Sequence, residues 1–214
     1  YDNTQPETLE YLSRVRKVLD KYDAISVGEI VSENPFDVIG EYANDQRLHM
    51  AYCFEFLSED FNFSDTNKIV DQFFHNNPNS WPCWSFSNHD SMRITSRINK
   101  SSKEIMKKLL ELKGNICIYQ GEELGLHETE VKFEDLKDPF GKNFWPEFKG
   151  RDGCRTPMPW NSKKINLGFS DAKPWLPVNY AYAAKSAKQQ QNDPDSMLNY
   201  TKELIKLRKK DFAA

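Results

Sequence analysis

The stretch that most constrains this chain is Trp84-Ser85-Phe86-Ser87-Asn88-His89-Asp90-Ser91-Met92-Arg93. It starts apolar and aromatic, then ends abruptly in amide, imidazole, carboxylate and guanidinium. A strand covered on both faces reads as a continuous apolar run, and polar residues gather where such a strand opens to solvent. A second stretch has the same form: Ala24-Ile25-Ser26-Val27-Gly28-Glu29 is apolar up to a terminal carboxylate.

Between and around these runs the period changes to that of helices. Thr4-Gln5-Pro6-Glu7 reads as a capping box with Pro in the first turn. Leu9, Leu12, Val15, Leu19 and Tyr22 follow at helical spacing, predicting a helix over 6–22 and then a buried strand over 24–30. Asn34-Pro35 opens a loop and 38–42 is a short helix. The apolar and aromatic run 49–57 suits a strand covered on both faces. Ile69, Val70, Phe73 and Phe74 place one face of a helix over 65–76, which Asn77-Pro78-Asn79 ends. The strand into Asn88-His89-Asp90 follows. Ser101-Ser102-Lys103-Glu104 is a second capping box, and Ile105, Met106, Leu109, Leu110 and Leu112 form a helical face. Gly114 suits the left-handed position after it. Residues 116–119 make a fourth strand, ending in Gln120-Gly121-Glu122-Glu123. A helix over 195–210 closes the chain, with Met197, Leu204 and Ile205 inward and a basic, solvated last turn that complements its dipole.

Helices and strands alternate, so the fold class is α/β with a parallel sheet. The exception is 125–192. It lacks periodicity and holds six of the eleven prolines and three of the five tryptophans. A loop of that length in a compact domain is usually functional or disordered, and its aromatics favour an ordered, functional one.

The formal net charge of -3 points to neither nucleic acid nor an anionic membrane surface, and no apolar run is long enough to span a bilayer. Cys53, Cys83, Cys117 and Cys154 are too far apart to form a CxxC pair or a zinc-finger pattern. They read as small buried hydrophobes of a reducing, cytoplasmic compartment. Without an initiator Met, the chain reads as a fragment.

Strand-borne carboxylates at Glu29 and Asp90 are the parts of a site that could cleave a glycosidic bond, which needs a proton donor for the leaving oxygen and a second carboxylate. In a (β/α)8 barrel such residues stand at the C-terminal strand ends. The expectation is that both project into one cleft from neighbouring parallel strands. Val27 and Ile30 beside Glu29 suggest partial burial, which raises a carboxyl pKa and suits a general acid. His89 next to Asp90, with Arg93 close by, suits binding of adjacent sugar hydroxyls. A Ser/His/Asp triad lacks its nucleophile elbow. His49, His75 and His127 are scattered, so neither a metal nor a cofactor is expected.

Val27-Gly28-Glu29 followed by Phe86-Ser87-Asn88-His89-Asp90 resembles the third and fourth signature regions of the α-amylase superfamily, glycoside hydrolase family 13. Ile118-Tyr119-Gln120-Gly121-Glu122-Glu123-Leu124-Gly125 resembles its eighth strand. Gly150-Arg151-Asp152-Gly153-Cys154-Arg155-Thr156-Pro157-Met158-Pro159-Trp160 resembles the α-glucosidase and oligo-1,6-glucosidase branch. Asp138-Pro139-Phe140-Gly141 and Phe144-Trp145-Pro146-Glu147-Phe148-Lys149 are similar to bacterial α-glucosidases. The resemblance spans nearly the whole chain. It implies the C-terminal half of a (β/α)8 TIM barrel, strands five to eight, as one partial catalytic domain over 1–214, with 125–192 as a substrate-proximal loop after the last strand.

The same resemblance implies roles. Glu29 is the general acid/base. Asp90 binds the 2- and 3-hydroxyls of the glucosyl unit and favours its oxocarbenium-like form, with His89 sharing the hydroxyls. Arg155 and Arg151 lie near the substrate, and Phe54 either lines the sugar pocket or packs in the core. One departure matters. The family's nucleophile is an Asp in a Gly-Phe-Arg-x-Asp motif after the fourth strand, and no such motif occurs; Asp2 lacks the preceding Arg and the apolar strand. The implied activity is that of a retaining α-glucosidase on short oligosaccharides or disaccharides in full length, with this chain alone inactive. The alternatives are a transglucosylase or sucrose isomerase on the same scaffold, or a non-catalytic binding barrel. Bond preference and oligomeric state stay open.

Overall fold

The computed structural model describes residues 5–211; Thr4, expected to cap the first helix, and Asp2 lie outside them. In chain order the elements are α1 (Pro6–Lys21), β1 (Val27–Gly28), α2 (Pro35–Tyr42), β2 (Met50–Cys53), α3 (Thr66–Asn76), β3 (Pro82–Trp84), α4 (Ile94–Arg97), α5 (Ser102–Glu111), β4 (Asn115–Ile116), α6 (Pro139–Asn143), α7 (Ala187–Gln191) and α8 (Met197–Asp211), with short 3-10 turns between them. They fall into two compact units. One takes in the chain up to Ser85 together with Leu112–Cys117; the other takes in Phe86–Glu111 and the chain from Ile118 on.

The first unit holds a four-stranded parallel sheet in the order β1-β2-β3-β4. Val27 pairs with Met50, Ala51 with Pro82, and Cys83 with Asn115. Consecutive parallel strands joined by helical crossovers are the α/β class expected, but the strands are shorter than the apolar runs. The run 49–57 is a strand only over Met50–Cys53, then turns into a 3-10 helix at Glu55–Leu57. β3 stops at Trp84, so Asn88-His89-Asp90 stand in a turn beyond it. β1 and β3 are also not neighbours, because β2 lies between them. Along α1, Leu9, Leu12, Val15 and Leu19 are half-buried and Tyr22 is exposed. α2 begins at Pro35, three residues before the expected start, because proline's fixed φ and missing N–H suit the first helical turn.

Trp84 anchors this unit. It is fully buried, with Phe56 and Phe73 at ring-centroid distances of 5.0 and 5.6 Å. Its Nε1–H donates to the Lys113 carbonyl at 2.7 Å, so the polar edge of a buried indole is satisfied. Cys53 and Cys83 are buried in the same unit.

In the second unit the expected capping box closes reciprocally. Ser101 N donates to Glu104 Oε2 at 3.0 Å and Glu104 N donates to Ser101 Oγ at 3.2 Å. α5 buries Ile105, Met106, Leu109 and Leu110 and packs on α8. The basic end of α8 is not wholly solvated: Arg208 Nη1 donates to the Leu110 carbonyl at 2.7 Å, satisfying an acceptor at the end of α5. The segment 125–192 packs around a core of Leu126, Met158, Leu167, Tyr182 and Ala187 together with Leu124 just before it.

Gly114 has φ +109°, and a Cβ there would stand 2.9 Å from Trp84 Nε1 and 3.2 Å from the Pro82 carbonyl oxygen. Gly114→Ala is expected to destabilise by roughly 1–3 kcal/mol through backbone strain plus displacement of the indole. Urea unfolding followed by far-UV circular dichroism checks this; an unchanged midpoint would show that the turn relaxes freely.

Candidate functional site

The Asn88 side chain builds the turn that presents the acidic group. Its Oδ1 accepts the Asp90 backbone N–H at 2.9 Å and the Ser91 hydroxyl at 3.0 Å. This is an Asx turn, the conformation that short amide side chains favour. It leaves His89 and Asp90 exposed beyond the buried body of Ser85-Phe86-Ser87.

The two Asp90 oxygens have different partners. Oδ1 accepts from Arg151 Nη1 at 2.9 Å and from Arg155 Nη2 at 2.7 Å. Oδ2 has His89 Nε2 at 3.4 Å. Arg155 also donates through Nε to the His89 carbonyl at 2.7 Å, so one guanidinium ties the backbone of the turn to the carboxylate it presents. Charge-assisted, forked contacts of this kind fix direction as well as distance.

Asp138 stands behind Arg151. Its carboxylate has no exposed surface and accepts from Arg151 Nε and Nη2 at 2.9 and 3.0 Å. The Arg151 guanidinium holds the Asp138 carboxyl well below the ordinary range, helped by the Arg151 and Phe140 backbone N–H groups and opposed by burial. Arg151 also lies over the Phe140 ring, 5.6 Å from its centroid.

Arg93 does not play the part expected of it. It is 2% exposed and turned inward, donating to the Gln120 carbonyl at 2.7 Å and the Cys154 carbonyl at 3.0 Å, with Tyr119 at 5.0 Å. The residue sits at the entry to α4. The guanidinium groups at Asp90 come from residues more than sixty positions on, where local spacing carries no signal.

His89, Asp90, Arg151 and Arg155 are therefore brought together within the second unit. Glu29 and Phe54 belong to the first. Glu29 follows β1 and is exposed, as are Ile25 and Val27 on the same face, so the partial burial expected from Val27 and Ile30 is absent. Phe54 is half-buried just past β2, stacked on Tyr52 at 6.0 Å. Asp138 was not legible as part of the site. Asp-Pro at a helix start reads as a cap, and Asp138 does accept the Phe140 N–H at 3.1 Å.

Comparison with known proteins places the chain in a family. The model of the α-amylase catalytic domain matches residues 1–214, and the chain belongs to that family. It is 42% identical to a probable α-glucosidase of Rhizobium meliloti (strain 1021) across 98% of this chain and 40% of that protein. The structure superposes on the α-glucosyl transfer enzyme XgtA with a TM-score of 0.90 and 44% identity, covering 98% of this chain and 40% of the other. It also superposes on an isomaltulose synthase variant from Erwinia rhapontici NX5, determined with its natural substrate sucrose. There the TM-score is 0.83 and the identity 26%, over 97% and 44% of the two chains. The chain thus spans about 40% of the length of the relatives it matches.

Beneath the site, Glu122 is buried and its carboxyl is pushed up to about 7 by burial, against hydrogen bonds from Ser87 and the Tyr119 N–H and the charge of Arg93. Between its unfolded value of about 4.5 and about 7, the folded chain keeps a proton that the unfolded chain releases. Stability from this group is full below that window and falls as pH rises through it, by up to about 3 kcal/mol. The urea midpoint of the parent is expected to drop between pH 5 and pH 8 relative to Glu122→Gln. Parallel pH profiles would count against a neutral buried Glu122.

Proposed function

We propose that this chain supplies the acid/base and sugar-binding part of a retaining α-glucosidase acting on short α-glucosides. The observation that carries the reading is the pairing of Asp90 with His89 and with two arginines in a member of the α-amylase family. In this reading Glu29 protonates the leaving oxygen and then activates water. Asp90 Oδ2 and His89 take adjacent hydroxyls of the glucosyl unit, while Arg151 and Arg155 hold Oδ1. The nucleophile is an Asp of the Gly-Phe-Arg-x-Asp type, a motif this sequence does not contain.

Transfer to an acceptor sugar, or isomerisation of sucrose, is the second reading. It is favoured by the likeness to the α-glucosyl transfer enzyme and to the isomaltulose synthase. Product analysis by NMR on the full-length enzyme, with maltose, isomaltose and sucrose supplied separately, separates the two. Free glucose supports hydrolysis; a new disaccharide supports transfer.

Two predictions test the assignments. The 214-residue chain alone should not turn over an aryl α-glucoside, since covalent catalysis has no nucleophile to use; measurable turnover by the purified chain refutes this. In the full-length enzyme, Glu29→Gln should lose roughly a hundred- to ten-thousand-fold in kcat/KM on maltose and far less on a nitrophenyl glucoside, whose leaving group needs no proton. Asp90→Asn should lose rate on both substrates alike, because its hydrogen bonds tighten at the transition state whatever the leaving group. Equal losses for Glu29→Gln on the two substrates, with bond cleavage rate-limiting, would mean that Glu29 is not the acid.

A further inference from the structure

We propose that Asp138 is a positioning residue of the reaction, acting through Arg151 on Asp90. This rests on the functional reading above, in which Asp90 binds the sugar.

The geometry distinguishes this role from helix capping. A cap on the short helix α6 uses one bond, from the Phe140 N–H to Asp138 Oδ1 at 3.1 Å. The other three bonds all come from Arg151: Nε to Oδ2 at 2.9 Å, Nη2 to Oδ1 at 3.0 Å, and the backbone N–H to Oδ2 at 2.8 Å. Two arms of the guanidinium fork are thereby fixed side by side on one carboxylate. The fork is planar, so its direction is set, and Nη1 reaches Asp90 Oδ1 at 2.9 Å.

The clamp is itself held. Asp152, fully buried, accepts the Lys137 and Asp138 N–H groups on Oδ2 at 2.6 and 2.9 Å. Gly141 and Gly150 let the two backbones close: a Cβ on Gly141 would stand 2.7 Å from the Lys149 carbonyl oxygen, and one on Gly150 would stand 2.8 Å from the Gly141 Cα. That approach brings the Arg151 N–H onto Asp138. The sequence of contacts is Asp152 to the Asp138 backbone, Asp138 to Arg151, and Arg151 to Asp90. Asp138 touches no sugar in this scheme; it sets the orientation of the group that does. With Oδ1 of Asp90 occupied by two arginines, Oδ2 is turned toward the hydroxyl pair.

The test uses the full-length enzyme with maltose and a nitrophenyl α-glucoside, together with thermal unfolding of each variant. Asp138→Asn, Arg151→Gln, the double variant and Asp90→Asn are compared. Asp138→Asn is expected to lower kcat/KM roughly 10- to 100-fold, chiefly in kcat, because the hold on Asp90 matters most at the transition state. Adding Asp138→Asn to Arg151→Gln should cost less than about two-fold more, since residues acting through one contact are non-additive. Losses that multiply, or an Asp138→Asn enzyme within about two-fold of the parent while Asp90→Asn is crippled, overturn the proposal. If Asp138→Asn does not fold, Arg151→Lys decides. Lysine keeps the charge but cannot clamp one carboxylate with two arms and reach another with a third, so its kcat should fall to the Arg151→Gln level. A near-parental Arg151→Lys overturns the proposal. A fully active Asp90→Asn overturns the functional reading itself, and the relay with it.

Discussion

Buried polar side chains that bond to main chain hold the second unit together where regular secondary structure is lacking. Every buried carbonyl and N–H needs a partner, and over 125–192 few helices and no sheet supply one. Arg93 instead ties the Gln120 and Cys154 carbonyls together. Gln190 donates to the Leu124 and Lys185 carbonyls and accepts from the Leu198 N–H. Asp152 gathers two consecutive N–H groups ahead of α6. Each bond is worth only about 1 kcal/mol net, but leaving such a group unpaired costs about 1–3 kcal/mol. The polar residues therefore specify one path for a loop whose apolar content alone would allow many.

The same bonds bring distant residues to Asp90. Arg151 and Arg155 lie on the segment whose Cys154 carbonyl Arg93 holds, and which Asp138 and Asp152 anchor at its start. The arginine expected to bind at the site thus acts one layer below it. A buried guanidinium with five donors is well suited to that task, since it can hold two carbonyls and still lie against the Tyr119 ring.

The alternation of helices and apolar runs was enough to read a parallel α/β sheet, and the Ser101–Glu104 capping box and the left-handed Gly114 were legible residue by residue. Strand lengths were not. Apolar content reports burial, and Glu55-Phe56-Leu57 is buried or half-buried in a 3-10 turn. α4, α6 and α7 span five residues or fewer, too short for a 3.6 period to show. At the site, His89, Asp90, Arg151 and Arg155 were legible through family likeness. Asp138 was not, because its partner is thirteen residues away and its local role, a helix cap, explains its identity without reference to Arg151. The burial expected at Glu29 failed because alternation along β1 sets Val27 and Glu29 on one exposed face.

The relatives that this chain matches carry different names: one is a probable α-glucosidase, one an α-glucosyl transfer enzyme, and one an isomaltulose synthase. Under the proposed function the division is a physical one. Orienting Asp90 through two arginines bears on how well the distorted glucosyl unit is held, and that requirement is the same whichever acceptor follows. Choice between water and a sugar hydroxyl is made after the first bond has broken, by groups that admit or exclude the acceptor. In that reading the framework serves the step that both outcomes share. Under the proposed function, the bonds around Asp90 thus bear on the rate of the shared step rather than on its destination.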